Sequence, residues 1–422
     1  MLDSPPRRAP AAIFIFITVF IDVLGLGIII PVAPRLVSQL NGQTEDQNAA
    51  VYGILGATYA LMQFVFSPVL GSLSDRFGRR PVLLLSLLGT GIDYFAMAFS
   101  PTLAFLFVTR AISGISGASI PVANAYIADV TPPEKRAGAY GLMGAAFGIG
   151  FVVGPLLGGF LAEHSLSLPL VGTIDGIRIP FLLAGALALA NWCYGLFVLP
   201  ESLPMDRRRA FDWSRANPIG ALFAISRYQS VLGLATALFL LQLAMFILHS
   251  VWVLSTAHRY GWSPRDVGLS LALVGIGAAV VQGGLARKII PALGEKRSFL
   301  IGVAIAALAY AGYGAATEGW MVYAIVCLAS LGGIAAPAGQ AILTKSVAAT
   351  EQGELQGTLT SLQGVAQIFG PILGTQVYAY FISTHAPAHL PGAPFYTSAV
   401  LALLGLAASA VALRTHREAV AA

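Results

Sequence analysis

Apolar residues run in blocks of about twenty, broken by short polar or turn-rich stretches, along most of the 422-residue chain. Blocks of that length match the ~20 residues a helix needs to cross ~30 Å of hydrocarbon. Taken between breaks they fall near 12–33, 51–70, 81–100, 102–129, 138–162, 179–199, 231–254, 267–285, 298–316, 320–342, 357–382 and 395–413, which makes twelve spans. The breaks at Ser100-Pro101 and at 317–319 are short enough to demand tight antiparallel hairpins. Glycine and proline are scattered irregularly, without the period-two alternation of a barrel. The pattern predicts an all-α integral membrane protein.

One polar island stands out between the second and third spans: Gly71-Ser72-Leu73-Ser74-Asp75-Arg76-Phe77-Gly78-Arg79-Arg80-Pro81. It holds an acid, three arginines and two glycines with an apolar run on each side, so it must lie in water at a membrane face. The longest polar break, 200–230, carries Arg207-Arg208-Arg209 and divides the spans six and six. It is expected to link an N-terminal bundle, 1–199, to a C-terminal bundle, 231–422.

An internal repeat supports that division. Sliding the chain by 216 residues without gaps brings Gly78 onto Gly294, Gly117 onto Gly333, Pro121 onto Pro337, Gly141 onto Gly357, Gly148 onto Gly364, and Gly154-Pro155 onto Gly370-Pro371. The matches fall on residues with special backbone and close-packing roles. Two parallel, pseudo-symmetric six-helix bundles follow, an arrangement in which substrate binds near the midplane between repeats.

Composition sharpens the reading: 57% of residues are hydrophobic and only 10% charged, against about 25% charged in soluble domains. The net charge of +5 is a topology signal here, not a nucleic-acid signal. With both termini on one side, 19 Lys and Arg lie in the loops of that side and 4 in those of the other, while Arg110 sits inside a span. The positive-inside rule then places both termini in the cytoplasm. Cys193 and Cys327 both lie in apolar runs, so neither a disulfide framework nor a thiolate metal site is expected. The first apolar run is too long for a signal-peptide core and is kept as the first span.

Ionisable groups inside spans are costly and are functional candidates by default. Asp22 lies about ten residues into the first span, or ~15 Å along a helix. A carboxyl placed there suits loading and releasing a proton; a permanently ion-paired structural acid is the alternative. Asp93 is the second such acid, able to share a proton with Asp22 or to meet a cationic substrate group, with packing against polar neighbours as the alternative. Arg110 is expected to act electrostatically on a neighbouring carboxylate, or to form a fixed salt bridge with Asp22. Tyr59 and Gln63 share a helix face one turn apart. With Asn124, and with Gln242, His249, Gln282 and Gln340 in the second half, they are candidate substrate-cavity residues, interhelical hydrogen bonding being the plainer role. The six histidines form no metal or catalytic motif.

The polar island is similar to the cytoplasmic loop motif of the major facilitator superfamily, and it recurs weakly as Gly294-Glu295-Lys296-Arg297. Further matches over nearly the whole chain resemble its drug:proton antiporter branch with twelve spans, specifically the tetracycline-efflux-like group. They are Asp22, Gly25, Gly27, Pro31 and Pro34 in the first span, Asp93-Tyr94 in the third, and Arg110, Gly114, Gly117 and Ala125-Tyr126-Ile127-Ala128-Asp129 in the fourth. The fifth carries the antiporter motif Gly148, Gly150, Gly154-Pro155 and Gly158-Gly159, and the second half adds Val251-Trp252-Val253-Leu254, Gly261-Trp262 and Gly319-Trp320.

The resemblance implies proton coupling through Asp22, Asp93 and Arg110, and gating by Gly71, Asp75, Arg76, Gly78, Arg79, Arg80 and Asp129. Asp75 is expected to meet the start of the eleventh span, near 353–357, and Arg79 or Arg80 to pair with Asp129. The sequence departs from the group at Ala278 and near Ala307, where tetracycline/metal antiporters have a histidine and an aspartate. That departure leaves the proton path to the first half and weighs against a tetracycline-metal complex as substrate. A proton-coupled exporter of small amphipathic molecules is the leading expectation. An importer of a sugar or other metabolite with the same fold is second, and a membrane enzyme or receptor third. The expected partners are a small-molecule substrate, protons and membrane lipid, with no nucleic acid, cofactor or metal, in a monomer of the bacterial inner membrane.

Overall fold

The computed structural model describes residues 8–168, 172–211, 229–346 and 352–421; most of the expected linker, 212–228, and residues 347–351 lie outside the described residues. Among the described residues eleven helices are long and apolar enough to cross a bilayer. The count rises to twelve if the first helix and Ala33–Asn41, bent 48° apart, form one span. Helices dominate because each closes its own backbone hydrogen bonds, which hydrocarbon cannot supply.

The helices recur at the sequence offset. Ala49–Phe77 and Arg79–Ala98 correspond to Pro264–Leu293 and Glu295–Ala315. Both pairs turn on a glycine with positive φ, Gly78 at 103° and Gly294 at 80°, a backbone region that a side chain would strain. The fourth and tenth spans, expected over 102–129 and 320–342, each form one apolar span, Leu103–Val130 and Gly319–Lys345, with a short turn that divides them into Leu103–Gly117 and Ile120–Val130, and into Gly319–Gly332 and Ala335–Lys345. The physical reason lies in Pro121 and Pro337, which sit in the first turns of the second segments and donate no N–H to the helix before them. The eighth span is also interrupted, by a π-turn at Val281–Leu285 that includes Gln282. One feature departs from an all-helical expectation, a small antiparallel hairpin that pairs Leu166–Leu168 with Gly172–Ile174. The seventh span, expected over 231–254, extends to Tyr260 within the helix Gln229–Tyr260.

The chain forms two compact units. Unit one comprises the described residues of Met1–Asn41, Thr58–Asn217 and Pro264–Ala272; unit two those of Gly42–Ala57, Pro218–Ser263 and Leu273–Ala422. Each has its own apolar core, around Ile15, Val82, Leu83, Val122, Tyr126 and Ile127 in unit one and around Leu234, Phe299, Val303, Ala338 and Leu343 in unit two.

The division cuts through two helices. The first turns of Ala49–Phe77 pack into unit two, and those of Pro264–Val280 pack into unit one. In unit one a methyl placed on Gly268 would come within 3.1 Å of the Pro155 carbonyl carbon, and one on Gly159 within 2.9 Å of the Pro264 carbonyl carbon. In unit two a methyl on Gly53 would meet the Thr375 side chain and lie 2.7 Å from the Pro371 carbonyl oxygen. Pro155 and Pro371 are repeat partners, so the same glycine-on-proline seat is built twice.

Candidate functional site

The helix Arg8–Ile29 places Asp22 in unit one, where its Oδ1 is buried without a hydrogen-bond partner. Asp93, on Arg79–Ala98, is only 3% exposed. The Ser113 hydroxyl donates to its Oδ2, and its Oδ1 is buried without a partner. Arg110 makes no ion pair with either acid among the described residues; its guanidinium lies 5.5 Å from the centre of the Tyr59 ring. A cation over an aromatic face keeps its charge while remaining free of a carboxylate. Tyr59 and Tyr94 both lie within electrostatic reach of Arg110, Asp22 and Asp93. The three intramembrane charges and two tyrosines therefore form one neighbourhood.

Missing side chains set its walls. Tyr94 packs where Gly25 has none, 3.1 Å from where a methyl would stand, and the Tyr59 hydroxyl lies 2.7 Å from the equivalent point on Gly117. Gln63 Nε2 donates to the Gly117 carbonyl at 3.1 Å and to the Tyr59 hydroxyl at 3.4 Å. Gln63 thus bridges its own helix to Leu103–Gly117. Asn124 is exposed, and its carbonyl accepts from the Tyr140 hydroxyl at 3.4 Å.

Unit two repeats the scaffold without the charge. At the 216-residue offset Asp22, Asp93 and Arg110 map to Leu238, Ala309 and Val326. Ala309 and Val326 are buried at 0% and 1% exposure, and Leu238 packs on the core. Of the polar candidates there, His249, Gln282 and Gln340 are exposed and Gln242 is half-buried.

The antiporter-motif glycines lie on Pro133–Leu161 and serve two neighbours. Methyls on Gly150, Gly154 and Gly158 would clash with Val23, Leu24 and Ile28, on the helix that carries Asp22. Pro155 fits against Gly27, and Gly159 faces Pro264, while Gly148 has open space. The motif thus fixes how closely the Asp22 helix is held.

At the polar island Arg79 is the hub. It pairs with Asp75 at 2.7 Å and with Asp129 at 3.3 Å, and also donates to Ser74. Arg80 instead donates to the Leu196 carbonyl at 2.7 Å. Arg76 stacks on Phe77 at 5.1 Å, and the Gly71 carbonyl accepts from Ser74. Gly78 leaves room for Glu201, whose Oε1 accepts from the Arg79 backbone N–H at 2.9 Å. The repeat partners of Arg79 and Asp129 are Glu295 and Lys345, and they too form an ion pair, at 2.7 Å with the signs exchanged. Each unit keeps the bridge between equivalent helices. Ser113 and Glu201 carry no signal in the hydrophobic pattern, because a serine in a span or a lone glutamate after one is common. The 216-residue repeat, applied to charged positions, would have found the Glu295–Lys345 pair.

The sequence model described as the Major Facilitator Superfamily matches residues 15–319 and 292–421. The chain is 42% identical to the class C tetracycline resistance protein of Escherichia coli over 398 residues, covering 93% of this chain and 96% of that protein. It is 36% identical to the class B protein of Escherichia coli, covering 85% and 86%. Among solved structures, the bacterial homolog of the human lysosomal transporter Spinster aligns with a TM-score of 0.77 at 18% identity, covering 98% of each chain. The human organic anion transporter MFSD10 aligns at 0.69 and 24% identity, covering 96% and 100%. The structural likenesses show the fold. Together with the sequence matches they establish that this multi-pass membrane protein belongs to the Major Facilitator Superfamily, in its tetracycline-efflux-like group.

Proposed function

We propose that the protein is a proton-coupled exporter of small amphipathic molecules, tetracycline-like drugs among them, that works by alternating access. The direction of transport follows from kinship with tetracycline resistance proteins. Coupling is supported by one observation: Asp22 and Asp93 each keep a buried, unpartnered carboxyl oxygen, and Arg110, in the same neighbourhood, forms an ion pair with neither among the described residues. A proton arriving on either carboxyl removes a buried charge that no ion pair compensates. Arg110 can then leave the Tyr59 face for a carboxylate once the proton departs, so proton loss and rearrangement are linked. The second unit, with apolar residues at the equivalent positions, contributes packing and polar contacts from Gln242, His249, Gln282 and Gln340.

The protein works as a monomer in a bacterial inner membrane, both termini in the cytoplasm. Residues 1–199 and 231–422 are the two bundles, with 200–230 between them, and the island from Gly71 to Pro81 gates the cytoplasmic face.

Asp22→Asn tests coupling. In vesicles with an imposed proton gradient the variant is expected to lose gradient-driven accumulation of drug while reaching wild-type amounts in the membrane. Gradient-driven transport that survives the substitution refutes the role of Asp22. Drug-driven proton movement in the opposite sense refutes export.

A further inference from the structure

Of the two glycine-on-proline seats, one carries titratable chemistry. Within unit two, the segment Gly42–Ala57 is held at Gly53 by Thr375 and Pro371, and, three residues before its helix, by Asp46. The two carboxyl oxygens of Asp46 are both engaged: Oδ2 lies 2.6 Å from His258 Nδ1, and Oδ1 accepts from the Tyr378 hydroxyl at 2.7 Å. Tyr378 is fully buried and edge-on to the His258 ring at 6.3 Å. At the 216-residue offset Asp46 maps to Trp262, Tyr378 to Ala162 and His258 to Gly42, so the other seat has none of these groups.

The surroundings leave His258 as the responsive group. Arg259, its neighbour on Gln229–Tyr260, is committed to the carbonyls of Tyr313 at 2.7 Å, Gly314 at 2.9 Å and Ala316. Tyr260 donates to the Ala316 carbonyl at 2.9 Å. Glu45, next to Asp46, adds negative charge within reach of Tyr378. His389 stacks at a tilt on His258, ring centres 5.8 Å apart, and is exposed. Among the described residues these side chains form no group able to hold a metal ion. The His258 and Asp46 side chains are 27% and 33% exposed, so solvent protons reach them.

We propose that Asp46, His258 and Tyr378 form a proton-sensitive latch that holds Gly42–Ala57 to the second unit. Imidazole is the side chain that changes charge between about pH 5 and 8. Neutral His258 can donate one ordinary hydrogen bond to Asp46; protonated His258 makes it charge-assisted, about twice as strong. The latch therefore tightens as pH falls and slackens as it rises. The assignment of the latch to the outer face rests on the export reading and its topology. There, external acid would hold the outer side shut after a proton has been taken up, favouring return to the cytoplasm-facing state.

Hydrogen-deuterium exchange of the full-length protein in lipid nanodiscs tests it, with rates corrected for intrinsic pH dependence. Wild-type protection of 42–57 is expected to fall roughly three- to tenfold between about pH 5.5 and 8. His258→Gln should flatten that slope, and so should Asp46→Asn, which preserves shape and keeps the result decisive if the glutamine variant misfolds. His389→Gln should leave the slope in place. A flat wild-type profile, or a wild-type slope in both His258→Gln and Asp46→Asn, overturns the latch. The measurement uses neither substrate nor gradient, so failed transport would count against export and leave the latch standing, and a flat slope would do the reverse.

Discussion

At the scale of single residues, the chemistry lies in side chains whose partners are incomplete. Asp93 is held on one oxygen by Ser113 and on the other by nothing, and Arg110 rests on an aromatic ring instead of an acid. Ser113 thus positions the Asp93 carboxyl. Leaving a buried acceptor without its donor costs about 1–3 kcal/mol. Ser113→Ala is accordingly expected to lower thermal stability in detergent and to reduce proton-coupled exchange about tenfold, while Ser113→Thr, which retains the hydroxyl, keeps both. An unchanged alanine variant would show that the hydroxyl does not set Asp93. The acids and Arg110 were legible because charge inside an apolar block stands out. Ser113 was not, because a hydroxyl in a span has many ordinary uses.

At the scale of helices, glycine and proline decide how closely neighbours approach. Gly158 faces the Ile28 backbone, whereas Gly148, ten residues earlier in the same motif, faces open space. Gly158→Ala must displace backbone, an overpacking that costs about 1–3 kcal/mol. It is expected to lower the melting temperature and impair transport, with Gly148→Ala near wild type; equal effects of the two would mean that the motif acts by something other than close packing. The motif was readable as a pattern of residues, but not which of its members bear the contact, since that depends on where Arg8–Ile29 and Pro264–Val280 arrive. The turns at 118–119 and 333–334 belong to the same scale: apolar continuity makes each stretch a single span, and Pro121 and Pro337 set the turn inside it.

At the scale of the whole molecule, two similar scaffolds carry different charges. The first has Asp22, Asp93 and Arg110; the second has Leu238, Ala309 and Val326 in their places. The Arg79–Asp129 and Glu295–Lys345 pairs keep a bridge while exchanging its signs. Lys345 is 70% exposed, so its pair contributes little, ~0–1 kcal/mol, whereas the 11%-exposed Arg79 holds two acids at once. Asp75 is bound by Arg79 within its own unit.

The sequence alone determined that the chain lives in a bilayer as a run of apolar spans, that it repeats after 216 residues, and which charges lie inside spans. Each of these follows from local length, hydropathy or spacing, which the solvent reads directly. Tertiary structure alone decided that Arg110 lies over Tyr59, that Ser113 holds Asp93, that Arg79 and not Arg80 reaches Asp129, and that Asp46 meets His258 and Tyr378 from far along the chain. Such contacts join residues with no fixed sequence separation. They depend on the angle and depth at which helices pack, set by glycines and prolines acting together across several elements.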